Sequence, residues 1–133
     1  MATINRKVRQ FSDLDLNFLP HPSTGDIVRS FDEDSINKNL RYLILTKNYE
    51  RPFHPEKGCQ VNNLLFENAD FMTSQMIKRT IENAIQNFEP RVSLISVDVV
   101  DNMSENEIRI TITYRIINTL QPVTFNTTLK RTR

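Results

Sequence analysis

Apolar positions along this chain follow two spacings, and the change between them divides it. Between residues 32 and 88 they recur at helical intervals. Ile36, Leu40, Leu43 and Ile44 stand at i, i+4, i+7 and i+8, one stripe of a helix that starts near Asp32–Ser35 and ends near Lys47. Asp and Ser at its start supply capping oxygens, and the acids suit the positive end of the helix dipole. A second helix is predicted from about Thr73 to Phe88, with Thr73 or Ser74 as cap. Ile77, Ile81, Ala84, Ile85 and Phe88 form its core-facing stripe, and Lys78, Arg79, Glu82, Asn83, Gln86 and Asn87 lie elsewhere. Pro90 ends it. Residues 48–72 form a long connection broken by Pro52, Pro55 and Gly58, in which Leu64-Leu65-Phe66 could make a helical turn.

Beyond Pro90 the period drops to two. Ile95, Val97 and Val99 alternate with Ser96 and Asp98. Ile108, Ile110, Ile112, Tyr114 and Ile116 alternate with polar residues, as do Val123, Phe125, Thr127 and Leu129. Turns at Asp101–Asn106 and Asn118–Pro122 separate the runs, which predicts an antiparallel meander with one face on the helices. The fold class is therefore α+β: a small antiparallel sheet with two main helices on one face. Residues 1–30 read as an extended arm, and residues 31–133 as a single domain. In the arm Phe11, Leu14, Leu16, Phe18 and Leu19 are spaced nearer two than 3.6, Pro20 and Pro22 prevent helix, and Ser23-Thr24-Gly25-Asp26 is a turn. Ile27-Val28 is a brief strand candidate. An arm this apolar is expected to lie on its own domain or on a neighbour. The last predicted strand is expected at a sheet edge, where unpaired backbone groups form a template for another chain.

Composition sets bounds on this picture. At 133 residues, with 38% hydrophobic and 25% charged side chains, the chain fits one globular domain. The formal net charge of +1 provides no bulk attraction to nucleic acid or to a membrane. Its distribution is uneven. Residues 1–10 carry +3, residues 11–34 carry −5, and the last eleven carry +3. The basic ends are either ordinary solvated termini or docking points for acidic protein surfaces. No apolar run approaches a membrane span, and the first residues do not read as a signal peptide. A single cysteine, Cys59, excludes an internal disulfide.

The chemistry-bearing residues are sparse. With two glycines there is no phosphate-binding loop. His21, His54 and Cys59 are too few and too scattered for zinc, and no cofactor or metal is expected. Cys59 with His54 lacks a nucleophile elbow, and Cys59 reads as a buried hydrophobe. A glycosidase needs two carboxylates flanking its bond. Glu56, Glu67, Asp70 and Glu89 are candidates only in the sense that any domain has acids, and no Trp supplies a sugar platform. Glu89-Pro90-Arg91 is more informative. Pro90 fixes the directions in which Glu89 and Arg91 leave the helix, and the Arg fork can tie a carboxylate into a network that locks the fold, docks a partner, or does both.

The loop Arg51-Pro52-Phe53-His54-Pro55-Glu56-Lys57-Gly58-Cys59, then Leu65-Phe66-Glu67-Asn68, then a helix closing on Phe88-Glu89-Pro90-Arg91, resembles a known family over roughly residues 30–131. This is the small baseplate wedge protein, or sheath initiator, of contractile-tailed bacteriophages, with relatives in type VI secretion baseplates. The resemblance implies a non-enzymatic structural protein of the virion tail, assembled in the host cytoplasm. Its implied partners are the tail sheath protein, other baseplate wedge proteins and tube-proximal baseplate proteins, with no nucleic acid, membrane or cofactor. It assigns Glu89, Pro90 and Arg91 to a structural corner and wedge contact. It also assigns Val123, Phe125, Thr127, Leu129 and Arg131 to the edge that exchanges strands with sheath, and Arg51, Pro52, Phe53, Pro55 and Gly58 to the loop motif. The family has also been labelled lysozyme-like, so the alternative is a peptidoglycan-cleaving glycosidase with Glu56, Glu67 or Glu89 as acid.

Overall fold

The structure is a computed structural model that describes residues 9–131. In chain order its elements are β1 (Ser12–Leu14), β2 (Arg29–Phe31), α1 (Asp32–Leu45), α2 (Val61–Leu64), α3 (Phe71–Phe88), β3 (Val92–Asn102), β4 (Glu107–Ile116) and β5 (Pro122–Lys130). They form two compact units, and the division falls inside α1, after Lys38.

In the first unit the predicted arm doubles back. β1 and β2 pair antiparallel, Ser12 opposite Phe31 and Leu14 opposite Arg29, and Pro20 bridges Ile27. The expected turn closes this hairpin: the His21 N–H donates to the Asp26 carbonyl at 2.7 Å and Gly25 N–H to the His21 carbonyl at 2.9 Å. Gly25 sits at φ +70, where a side chain would be strained. Asp32 ties the start of α1 to the first strand, its Oδ1 accepting the N–H groups of Gln10 and Phe11 at 2.8 and 3.0 Å. Ser35 Oγ donates to Asp13, and Lys38 Nζ lies 3.0 Å from Asp15. These polar ties anchor the hairpin to α1 within the unit. Leu14, Leu16, Phe18 and Leu19 stay exposed.

In the second unit β3, β4 and β5 form an antiparallel meander in that order. The buried row on β4 is Ile108, Ile110, Ile112, Tyr114 and Ile116, as the alternation predicts. α3 lies against β3 and buries Ile77, Ile81, Ala84 and Ile85; Leu40, Leu43 and Ile44 of α1 are buried in the same unit. The α+β class is as expected. Two local expectations are corrected. Asp70, not Thr73 or Ser74, caps α3: it has the extended backbone a cap requires, and its side chain accepts the Thr73 N–H at 2.7 Å. Thr73 is inside the first turn and acts as donor. Ile95 does not share a face with Val97 and Val99. A bulge sets Leu94 opposite Tyr114 and Ser96 opposite Thr113, and the extra residue, Ile95, turns outward and is 51% exposed.

The proline-rich loop packs back on the end of α1. Cys59 N–H donates to the Thr46 carbonyl at 2.8 Å, and Tyr49 N–H to the Pro55 carbonyl at 2.8 Å. Gly58 makes this possible: a Cβ there would lie 2.7 Å from the Lys47 carbonyl. Of the loop motif, Arg51, Pro52, Phe53 and Pro55 are exposed, and Gly58 is buried.

Candidate functional site

Two features of the second unit carry polar structure that packing alone does not require. The first is the corner after α3. Glu89 N–H closes the last helical turn on the Ile85 carbonyl at 2.9 Å, and Pro90 then forces the chain out. This leaves the Glu89 carboxylate 2% exposed in the interior. Arg91 meets it with a two-pronged contact, Nε to Oε1 at 2.7 Å and Nη2 to Oε2 at 2.9 Å, and Asn39 Nδ2 donates to Oε2 as well. Burial pushes the Glu89 carboxyl up, but the Arg91 and Asn39 donors and the guanidinium charge outweigh it and hold the group below its ordinary value. The Arg91 carbonyl accepts the Ile117 N–H at 3.0 Å, so the same residue starts the sheet. The corner thus ties α1, α3 and β3 together. Pro90 is its exposed member.

The second feature is the outer margin of β5. Among the described residues β5 has one strand neighbour, β4. The direction of its backbone groups follows from one hydrogen bond. Arg131 N–H donates to the Asn106 carbonyl at 2.8 Å, which makes Glu107 and Lys130, directly opposite each other, a non-hydrogen-bonded pair. Alternation in an antiparallel ladder then points the N–H and C=O groups of Val123, Phe125, Thr127 and Leu129 at β4. Those of Thr124, Asn126, Thr128 and Lys130 point away from it, at the open margin. The predicted edge residues are thus on β5, but their side chains line the inner face while the alternate set presents the free backbone groups. Val123, Phe125 and Thr127 are only half-buried on that face, and Leu129 is buried.

Arg131 lies just past β5. Its Nη2 sits 2.9 Å from Asp101 Oδ2, both side chains largely buried. The contact is an ion pair without hydrogen-bond geometry. Asp101 is in phase with Val97 and Val99 inside β3, not in the turn expected to begin there, because the ladder continues through Asp101 opposite Ile108 and Asn102 opposite Glu107. Alongside β5 runs a groove of about 520 Å³ lined by Arg41, Arg109, Asn126, Thr127 and Thr128.

The other candidate residues are not brought together into a recognisable catalytic group. His54 contacts Glu56 at 3.4 Å on the surface, His21 bonds Ser23, and Cys59 is buried. Among the described residues no group of three His, Cys, Asp or Glu could hold a metal, and no helix is long and apolar enough to cross a membrane. A glycosidase acid needs a raised pKa. Glu89 is held low by its ion pair, Asp70 by the Thr73 backbone N–H it caps, and Glu56 by its own backbone N–H. Glu67 lines a surface groove with Phe66 and Arg131.

A family model described as baseplate wedge protein gp25 matches residues 30–121, from the second strand to the turn before β5. The chain belongs to the gp25 baseplate wedge family. The gp25 baseplate wedge protein of Enterobacteria phage T4 is 33% identical over 118 residues, covering 89% of this chain and 86% of the phage protein. Solved structures share this chain's fold. A Geobacter sulfurreducens protein proposed to be a tail lysozyme superposes with a TM-score of 0.70 at 24% identity, over 76% of this chain and 92% of its own. A chain of the anti-feeding prophage baseplate gives 0.64 at 19%, over 92% and 87%. A chain of a type VI secretion baseplate complex gives 0.58 at 12%, over 72% and 92%.

Proposed function

We propose that this protein is a structural wedge component of a contractile-tail baseplate, resident in the particle, and that the open margin of β5 accepts a strand from the tail sheath protein and so nucleates sheath polymerisation. The observation that carries the reading is the row of outward N–H and C=O groups on Thr124, Asn126, Thr128 and Lys130, on an edge strand without a bulge. Unpaired donors and acceptors in that spacing suit one ligand class, another extended backbone. Alternating side chains then fix the register. In this reading the Glu89-Pro90-Arg91 corner holds the domain rigid and Pro90 meets the neighbouring wedge protein. The remaining partners are wedge and tube-proximal baseplate proteins.

The role is non-enzymatic. Fold likeness to a protein proposed to be a tail lysozyme favours the glycosidase reading, but the state of Glu56, Asp70 and Glu89 opposes it. The test is assembly of baseplates carrying Thr128→Pro, which removes one outward donor and no bond to β4. Wedges should form and sheath should fail to extend from them. Full-length sheath on these baseplates, or on baseplates whose chain is truncated after Pro122, would overturn the proposal. A peptidoglycan assay with Glu56→Gln, Glu67→Gln and Glu89→Gln checks the alternative: turnover by the native protein that one of these variants abolishes would establish an enzyme.

A further inference from the structure

The groove beside β5 carries positive charge that no acid among the described residues pairs with. Arg41 enters it from α1 and Arg109 from β4, with Asn126, Thr127 and Thr128 between them. Neither guanidinium has an acidic partner among the described residues. β5 itself contains no acid, and the two carboxylates at its end are taken up there: Glu107 lies 3.7 Å from Lys130 and Asp101 2.9 Å from Arg131. Arg109 is directly opposite Thr128 on the outward face. A strand added to β5 would lie two strand spacings from β4, about 4.8 Å each. Thr128 is short, so the Arg109 side chain can pass over it and meet a residue on that added strand.

We infer that the segment completing the β5 margin is acidic, with carboxylates placed opposite Asn126 and Thr128, where Arg41 and Arg109 pair with them. The inference rests on strand addition at β5 and adds to it the chemistry of the partner. Backbone pairing by itself is blind to sequence and would accept any extended chain. Two cations at one point of the edge select an acidic chain and fix where along β5 it stops sliding. A polypeptide is favoured over another polyanion because the outward N–H and C=O groups flank the same groove.

The experiment uses the full chain and a labelled short peptide of alternating valine and threonine with two threonines replaced by aspartate, beside its lysine counterpart and an N-methylated aspartate version. Binding is read by fluorescence anisotropy at two salt concentrations. The aspartate peptide should bind tighter than the lysine peptide, and Arg41→Gln with Arg109→Gln should reduce that preference about five- to tenfold, as for two exposed ion pairs. Added salt should do the same. Thr128→Pro and N-methylation should both abolish binding. If Thr128→Pro and N-methylation abolish binding but aspartate and lysine peptides bind alike, strand addition stands and the acidic-partner inference falls. If the aspartate peptide still binds after both changes, the groove is a plain anion site and strand addition falls with the inference.

Discussion

Replacing Glu89 by Gln keeps the shape of the side chain and removes its charge. In the native protein this carboxylate is 2% exposed and receives two Arg91 donors and one from Asn39. In the variant the amide offers one acceptor, and its NH2 group faces donors. Breaking a buried pair by removing one partner costs about 3–5 kcal/mol. The Arg91 side chain is 21% exposed, so water recovers part of its solvation, and about 2–3 kcal/mol is the expected loss. With a urea slope of about 1.5 kcal/mol/M for a chain of this size, the unfolding midpoint should fall by about 1.3–2 M at pH 7. The pH dependence has a definite sign. The folded Glu89 carboxyl is held below its ordinary value of 4.5. Its contribution is therefore complete above that value and lost as pH falls through the lower, folded one. The gap between native and Glu89→Gln midpoints should be flat near neutrality and narrow in acid. An unchanged midpoint at pH 7, or a gap that persists into acid, would refute the assignment of Glu89 as an ionised structural anchor.

Two further outcomes test the packing around the proline-rich loop. Cys59 is buried and its thiol is pushed up to about 11, so the folded protein should resist iodoacetamide at pH 8 and become fully labelled only in denaturant. Gly58→Ala puts a methyl 2.7 Å from the Lys47 carbonyl; a clash with backbone cannot relax by a rotamer change, and a loss of about 1–3 kcal/mol in chemical denaturation is expected.

Most of the second unit was legible because its signals are periodic. The stripes of α1 and α3 and the alternation on β4 are burial patterns, and burial dominates folding energy. Ile95 shows where that reading stops. A bulge changes the phase of a strand without changing its composition, and nothing in Leu94-Ile95-Ser96 marks it. The α3 cap was misplaced by three residues because Asp70, Thr73 and Ser74 are all competent acceptors, and only backbone direction decides among them. The corner motif was visible as Glu89-Pro90-Arg91, whereas Asn39, fifty residues away, had no sequence signal as its third partner. For the margin, side-chain alternation led to Val123, Phe125, Thr127 and Leu129. The backbone groups that face outward belong to the residues between them, and a ladder's hydrogen-bonding parity is set by pairing with β4, not by any side chain. The hairpin of the first unit was hidden because its ties are polar and distant in sequence, such as Asp32 to Gln10.

Strand addition requires one side of β5 to be vacant in the free protein and filled in the particle. Residue-resolved amide hydrogen exchange measures this directly. In the free protein Val123, Phe125, Thr127 and Leu129 should exchange slowly and Thr124, Asn126, Thr128 and Lys130 quickly. In baseplates bearing sheath the second set should become protected. Protection of that set in the free chain, or rapid exchange that persists after sheath has attached, would contradict the account.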